Sequence, residues 1–403
     1  MRGDKCARWA WIIGASALGL LLAGVPAPSG AQEYRIGFVS AITGPASSLG
    51  VPERDVAVML QKEIDAKGGI TGPDGVKHQV KIIIHDDESK ADTAARVVKK
   101  LIAEDKVTVV IATSQSADSL AVVPVATEYK TPQISMASSH AIVTPIKDRF
   151  WIFKTPQSNI HVAYHQVKYL KAKKYTKIAS LYVNNAFGED SRRGLAEAIK
   201  GTDIQVVDED KFEATDKDMT PQLTKVKASG AQALLVHTTP PSASILTKNF
   251  RDLGLSIPLI HNHGVGNKPF IDLAGGAADG VIFPIGKMLV AENLPDADPQ
   301  KKVLLDFIKA YESATGKPRS TFAGHGWDAL QMSFMVLAGL KANTPLEQAR
   351  AQVRDGLEQI KNFAGTAGIF TMSAQDHVGL DERSMVLVRV EGGTWKYFPA
   401  EKW

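Results

Sequence analysis

Residues 80–137 read VKIIIHDDESKADTAARVVKKLIAEDKVTVVIATSQSADSLAVVPVATEYKTPQISMA. Three apolar runs stand out in this stretch, Val80–His85, Val107–Ala112 and Gln133–Ala137. Between them lie Ala91–Glu104 and Ala117–Tyr129, where apolar residues recur every three or four positions. Short apolar runs bounded by turn residues read as buried strands, and the longer periodic segments as helices. Strands alternating with helices of this length mean βαβ units and a parallel sheet.

The same alternation extends in both directions. Upstream, Tyr34–Ser40 (YRIGFVS) predicts a strand and Pro52–Lys67 an amphipathic helix. Downstream the pattern restarts. Phe150–Lys154 leads into a helix over Asn159–Lys171, and strand Lys177–Val183 into a helix over Gly188–Lys200. Strands at Val206–Asp208, Ala233–His237, Ile257–His261 and Val281–Pro284 follow, with helices at Thr220–Ala228 and Ser242–Gly254. After the acidic, proline-containing loop Val290–Gln300 come three helices, Lys301–Thr315, Thr321–Ala342 and Leu346–Leu357, then strand-like Met385–Glu391 and Trp395–Phe398. The chain is therefore two successive α/β halves followed by a helical segment. The halves show no detectable sequence repeat.

The 403 residues, 44% hydrophobic and 22% charged, suit two or three globular domains at roughly 150 residues each. This composition excludes a disordered, collagen-like or polytopic membrane chain. The first residues have a different character. Arg2, Lys5 and Arg8 precede an uncharged stretch from Trp9 to Gln32 with an apolar centre, Ile12–Val25. Pro26 and Pro28 break it, and Ser29 and Ala31 place small residues at the −3 and −1 positions of a cut after Ala31. These are the three regions of a secretory signal peptide, so residues 1–31 are expected to be removed and the protein to be periplasmic. Cys6, the only cysteine, precedes the apolar run, so a lipoprotein anchor is not expected. The mature chain then needs no disulfide in an oxidising compartment. It carries 44 basic and 42 acidic residues, too even a balance for nucleic acid or a polybasic membrane patch.

The sequence has no GxSxG elbow, Walker A loop, HExxH or CxxC. Gly264-Val265-Gly266 is followed by Pro269 where a dinucleotide turn needs a third glycine. His161 and His165 have metal-ligand spacing on a helix, but no third ligand accompanies them, so a helix-face role is favoured. His261 and His263 would share one strand face. Asp86-Asp87-Glu88 reads as a helix N-cap rather than a catalytic carboxylate group. No cofactor, metal or catalytic residue is expected. What remains are small polar residues at neighbouring strand ends, Thr113-Ser114-Gln115-Ser116 and Ala137-Ser138-Ser139. Hydroxyls and helix-start N–H groups at the carboxyl ends of parallel strands make a seat for a small anion.

Read together, Thr43-Gly44-Pro45 with Gly50, Ala66-Lys67-Gly68-Gly69-Ile70, Asp86-Asp87, Phe187-Gly188-Glu189 and Gly264-Val265-Gly266-Asn267 are similar in order and spacing to one family. The chain resembles the periplasmic leucine/isoleucine/valine-binding type of solute-binding protein of ABC importers, from about Tyr34 to Phe398. The resemblance implies the type I periplasmic binding protein fold: two doubly wound parallel-sheet α/β lobes joined by three crossing strands. Ligand lies between lobes that close by a hinge, and a membrane permease reads the closed form. The crossings are expected near Lys154, Pro284 and Phe370, giving lobe one as 32–153 plus 285–369 and lobe two as 154–284 plus 370–403. A monomer is implied.

The resemblance also implies site residues. Its carboxylate clamp falls on Ser116, Ala137 and Ser139, and its side-chain pocket on Leu49 and Phe187. The acidic residue that holds an amino acid's ammonium corresponds to His263 here, and a further aromatic is replaced by Thr238 or Thr239. Burying an unpaired cation costs several kcal/mol, most of the roughly 8 kcal/mol of a micromolar affinity. The expected ligand is thus a small organic carboxylate with an apolar body, such as an aromatic acid. His263 would bond a distal hydroxyl, or help hold the carboxylate if protonated. A branched-chain or other amino acid is the alternative, should Asp118 or Glu189 reach the cleft. A ligand-sensing receptor subunit and an exported hydrolase with Ser116 and His263 are the alternatives of other classes.

Overall fold

The structure, a computed structural model, describes residues 32–403, so the expected signal peptide lies outside the described residues. Two sheets dominate. The first holds β1 (Glu33–Ser40), β2 (Ile70–Thr71), β3 (Lys77–Asp86), β4 (Val109–Ala112), β5 (Gln133–Ser135) and β6 (Ile152–Lys154), in the order β2-β3-β1-β4-β5-β6. All pairs are parallel except β2 with β3. Helices α1 (Ser47–Ala66), α2 (Ala91–Ala103) and α3 (Ser116–Glu128) cross between its strands. After α4 (Asn159–Ala172) the second sheet takes β7 (Lys177–Val183), β8 (Gln205–Phe212), β9 (Ala233–His237), β10 (Leu259–His261) and β11 (Ile282–Gly286). Its helices are α5 (Ala186–Ala198), α6 (Thr220–Ala228), α7 (Ser242–Asp252) and α8 (Lys268–Ala274). The tail supplies α9 (Lys301–Thr315), α10 (Thr321–Leu337), α11 (Leu346–Glu358) and a ribbon of β12 (Phe363–Ala364) with β13 (Ile369–Phe370). The last strands, β14 (Met385–Glu391) and β15 (Thr394–Tyr397), extend the second sheet antiparallel beyond β11, in the order β15-β14-β11-β10-β9-β7-β8.

The sequence explains why both sheets are covered on both faces. In β4, Val109 and Ile111 point into one core and Val110 and Ala112 into another. In β9, Leu234 and Val236 face one side while Ala233 and Leu235 face the other. A strand that is apolar at every position has two buried faces, as parallel strands do. The apolar stripe of α2, Ala94, Val97, Val98, Leu101 and Ile102, follows the helical period and closes one face of the first sheet. The three tail helices close the other face, packing Phe307, Tyr311, Leu330 and Val353 with Ile36 and Phe38. Arg350 of α11 fastens this return with hydrogen bonds to the carbonyls of Ile102 (3.0 Å) and Val107 (2.8 Å).

Several boundaries differ from the sequence reading, and two of them bear on how the halves pack. The first helix starts at Ser47, not Pro52, so Pro52 lies inside it. Proline leaves the carbonyl four residues back without its helical partner. Here that carbonyl belongs to Ser48, and the Asn267 amide from the second half donates to it at 3.1 Å. The third passage between sheets also falls later than Phe370. Phe370, Met372, Val378 and Leu380 are buried in the first core, and the chain joins the second sheet only at Met385. His377, stacked on Phe153 at 4.0 Å, holds this segment in place.

Both sheets repeat one layout. The orders β3-β1-β4-β5-β6 and β8-β7-β9-β10-β11 each place the first strand of the unit second, so the order reverses between β1 and β4 and again between β7 and β9. In each unit the helix after that first strand carries a glycine pressed on the strand end. A Cβ on Gly50 would stand 2.2 Å from the Ala41 oxygen, and one on Gly188 1.9 Å from the Val183 oxygen. No side chain fits there without moving the helix. Gly188→Ala is therefore expected to lower the unfolding free energy by about 2–3 kcal/mol, as overpacking does. Urea unfolding checks this, and a wild-type midpoint in the variant would refute the close-packing argument.

Candidate functional site

Ligands of doubly wound sheets lie beyond the carboxyl ends of the strands, where the order reverses. The cleft in this chain occupies that place in both units at once. From the first unit come Leu49 of α1, the Ser114–Ala117 segment between β4 and α3, and Met136 and Ser138 after β5. From the second come Asn185 and Phe187 at the start of α5, Thr239 after β9, and His263 and Gly264 after β10. Pro156 and the α10 residues Phe322 and His325 complete the wall. Leu49 and Phe187 immediately precede the two tightly packed glycines, so equivalent positions of the two units face each other's territory.

Hydrogen bonds join the two halves around the cleft. Besides Asn267 to Ser48, the Thr321 hydroxyl donates to the Gly266 carbonyl at 3.0 Å and the His140 N–H to Asp190 at 3.0 Å. Asp86 shapes the loop entering α1. It accepts the N–H groups of Ile42, Thr43 and Glu88 at 2.8–3.1 Å and the Thr43 hydroxyl at 2.5 Å. Burial works against its charge, yet these donors hold its carboxyl below the ordinary value. Its role is thus to staple a loop, not to cap a helix.

Of the eight residues expected to touch ligand, the cleft gathers Leu49, Ser116, Phe187, Thr239 and His263. Ala137, Ser139 and Thr238 are not on its wall. The backbone after β5 is extended, so alternate residues face opposite ways. Met136 and Ser138 take the cleft side. The Ala137 N–H is bound to Ser135 Oγ at 3.0 Å, and Ser139 turns its hydroxyl to the Ala141 N–H at 3.3 Å. Ser139 still positions the seat, since its N–H donates to Ser116 Oγ at 3.3 Å. Ser116 opens α3, whose N-cap residue Gln115 supplies no side-chain cap. First-turn N–H groups of this helix thus remain for an anion.

His263 is 5% exposed, and its Nδ1 has no hydrogen-bond partner. Burial, aided by the Lys154 charge, pushes its pKa down to about 3. Burial thus favours the neutral imidazole, which offers one donor and one acceptor, and opposes the protonated role considered from the sequence. His325, which sequence reasoning missed, is its counterpart on α10. Burial, then His263 and Lys154, push it to about 3 also, and its Nδ1 is likewise unpartnered. Each imidazole has a phenyl neighbour, Phe187 at 6.2 Å from His263 and Phe322 at 6.0 Å from His325. His325 and Phe322 lie at the start of α10, where every residue from Thr321 to Gly326 is buried, so no one-sided apolar pattern marks the face that meets the cleft.

Three other histidines, His261, His161 and His165, have structural partners. His261 does not share the face of His263. Its Nε2 meets the Thr247 hydroxyl at 3.0 Å, because β10 ends at His261 and the backbone turns before His263. His161 completes a capping box with Ser158, and His165 Nε2 meets the Glu382 carbonyl at 2.7 Å.

No aspartate, glutamate, lysine or arginine lines the cleft among the described residues. Asp118 accepts a bond from Gln115 at 2.9 Å, and Glu189 pairs with Arg192 at 3.2 Å; neither is on the wall. No described helix is long and apolar enough to cross a membrane.

The sequence matches the family described as periplasmic binding protein over residues 33–394. It is 24% identical over 283 residues to the leucine-, isoleucine-, valine-, threonine- and alanine-binding protein of Pseudomonas aeruginosa, covering 70% of this chain and 72% of that one. It is 25% identical over 324 residues to the Leu/Ile/Val-binding protein of Escherichia coli, covering 79% and 83%. Among solved structures, an extracellular ligand-binding receptor from Rhodopseudomonas palustris superposes with a TM-score of 0.84 at 28% identity, over 91% of this chain and 99% of that one. The branched-chain amino acid transporter substrate binding protein of Streptococcus pneumoniae, in complex with isoleucine, shares the fold with a TM-score of 0.76 at 22% identity, covering 91% and 98%. With two doubly wound units meeting at their switch points and a match spanning nearly all of the described chain, the protein belongs to the periplasmic binding protein family, in its leucine/isoleucine/valine-binding type.

Proposed function

We propose that this chain captures a small organic carboxylate with an apolar body in the periplasm and delivers it to the permease of an ABC importer. Proteins of this family bind small molecules and serve such permeases. The observation that carries the ligand reading is the cleft wall itself. It combines serine hydroxyls and a free helix start on one side with phenyl rings and two neutral imidazoles, and it offers no acidic group. A carboxylate would sit on Ser114, Ser116 and the first turn of α3, its body against Phe187, Phe322 and Leu49. The halves are lobes closing about three crossing segments, near Lys154, near Pro284 and between Leu380 and Met385. Ligand that touches both lobes favours the closed arrangement.

The relatives' names support a second reading, a branched-chain amino acid, and support it better than they do an aromatic acid. That reading requires a partner for the ammonium, which neither Asp118 nor Glu189 supplies in this arrangement. Turnover is disfavoured because His263 Nδ1 lacks the third group that orients a catalytic imidazole.

A thermal-shift series on the chain from Gln32 to Trp403 separates these readings. A ligand at 100 times its Kd adds about 2.7 kcal/mol to stability. Benzoate or 4-hydroxybenzoate is expected to raise the melting temperature while leucine and isoleucine leave it unchanged. The reverse pattern establishes the amino-acid reading.

A further inference from the structure

Behind the cleft wall stands a carboxyl group that no positive charge meets. Glu53, on the second turn of α1, is fully buried. Its Oε2 contacts Ser114 Oγ, and its Oε1 has no partner. Its helix neighbour Arg54 is turned to Asp55. The charged group facing it from the first sheet is another acid, Asp87 after β3, whose Oδ2 is also unpartnered. Asp118 of α3 adds to the charge around Asp87. From α10, packed against α1, the nearby titratable groups are the neutral His325 and Asp328, which is bonded to Thr366 and Ala367. An ionised carboxylate with one hydroxyl for company in such a place is strongly disfavoured.

The protonation of Glu53 decides what Ser114 can offer. A hydroxyl has one proton and two lone pairs. The Ala41 N–H already occupies one lone pair of Ser114 Oγ, at 3.1 Å. Beside an ionised Glu53, the serine would give its proton to the carboxylate and turn a lone pair to the cleft. Beside a protonated Glu53, the acid donates to the second lone pair, and the serine proton is free to point at ligand. We propose that Glu53 is held as the neutral acid and sets Ser114 as a hydrogen-bond donor to an anionic ligand, so that Glu53 is a specificity-determining positioning residue. This rests on the carboxylate-ligand reading above. Burial pushes the Glu53 carboxyl well above its ordinary value, with Asp87 adding to the effect against the Ser114 bond. A residue outside the cleft thereby chooses the hydrogen-bonding sense of one inside it.

Two measurements test this. The first needs no ligand: the infrared difference between wild type and Glu53→Gln at pH 7.5. A protonated-carboxyl carbonyl band in the wild type is expected, and a carboxylate signature in its place overturns the proposal. The second is calorimetric titration with benzoate, 4-hydroxybenzoate and leucine. Ser114→Ala should weaken the acid that binds by about tenfold, the value of one hydrogen bond to a charged group. Glu53→Leu should weaken it several-fold, Glu53→Gln should restore it because the amide still donates, and adding Glu53→Gln to Ser114→Ala should cost nothing more. Wild-type affinity in Ser114→Ala, or equal losses in the Gln and Leu variants, overturns the proposal. If none of the three acids binds, the carboxylate reading falls and takes the ligand half of this proposal with it, while the infrared band still decides the state of Glu53.

Discussion

Between pH 7 and pH 10 the unfolding free energy of the wild type should rise by about 3–4 kcal/mol relative to that of Lys154→Met. Lys154 lies on β6, where the chain leaves the first sheet, and is completely buried. Its Nζ donates to the Pro156 carbonyl at 2.7 Å and to Ser158 Oγ at 3.1 Å, both neutral groups. Burial lowers its pKa from 10.5 to about 7, against the pull of Asp190 and Asp376. The unfolded chain keeps this proton up to about pH 10.5, whereas the folded chain releases it near 7. In that window the unfolded state holds one more proton, so stability rises with pH by about 1.4 kcal/mol per unit. Below pH 7 both states are charged and the full cost of the buried ammonium is present. Subtracting the methionine variant removes every other titration the two proteins share. Urea unfolding of both at pH 7, 8, 9 and 10 reads the effect. A difference that stays flat means that Lys154 keeps its proton in the folded state and is better solvated than its surroundings indicate.

The placement of Lys154 bears on how much of the molecule could be read in advance. The strands and helices were legible because the central strands of both sheets are buried on both faces and most helices on one. Helices α4, α6 and α9 begin where periodicity places them, and β7, β9 and β14 match at both ends. The misplaced features share a physical cause, which is that a distant partner decides them. Pro52 reads as a helix start until Asn267 takes up the Ser48 carbonyl. Phe370–Leu380 reads as a departure to the second half until its apolar residues settle in the first core. The cleft divides in the same way. Of the residues that the family resemblance singles out, Leu49, Ser116, Phe187, Thr239 and His263 line the cleft, whereas Ala137, Ser139 and Thr238 do not. His325 and Glu53 lie inside helices whose apolar patterning masks them, and only packing shows that one faces the cleft and the other backs Ser114.

Replacing His263 by glutamate is expected to tighten leucine or isoleucine binding by about a hundredfold or more, and to weaken an aromatic acid comparably. In the family that the chain belongs to, the resemblance places at this position the acidic residue that neutralises the ligand's ammonium. Here a neutral imidazole stands there, and no other acid lines the cleft among the described residues. An ammonium buried without a partner loses several kcal/mol, and each 1.4 kcal/mol recovered is a factor of ten in Kd. The same carboxylate would face an aromatic acid with like charge and drive it out. Two controls separate charge from shape. His263→Gln keeps a donor and an acceptor without charge and should gain nothing for leucine. Melting curves of both variants show whether the buried substitution is tolerated. Calorimetric titration of leucine, isoleucine and benzoate into the three proteins measures the exchange. The informative failure is a wild type that binds leucine tightly and gains nothing from the glutamate. The ammonium would then have found another partner, and Asp118, buried one layer behind Gln115 with its pKa raised to about 6 by that burial, is the acid placed to provide it.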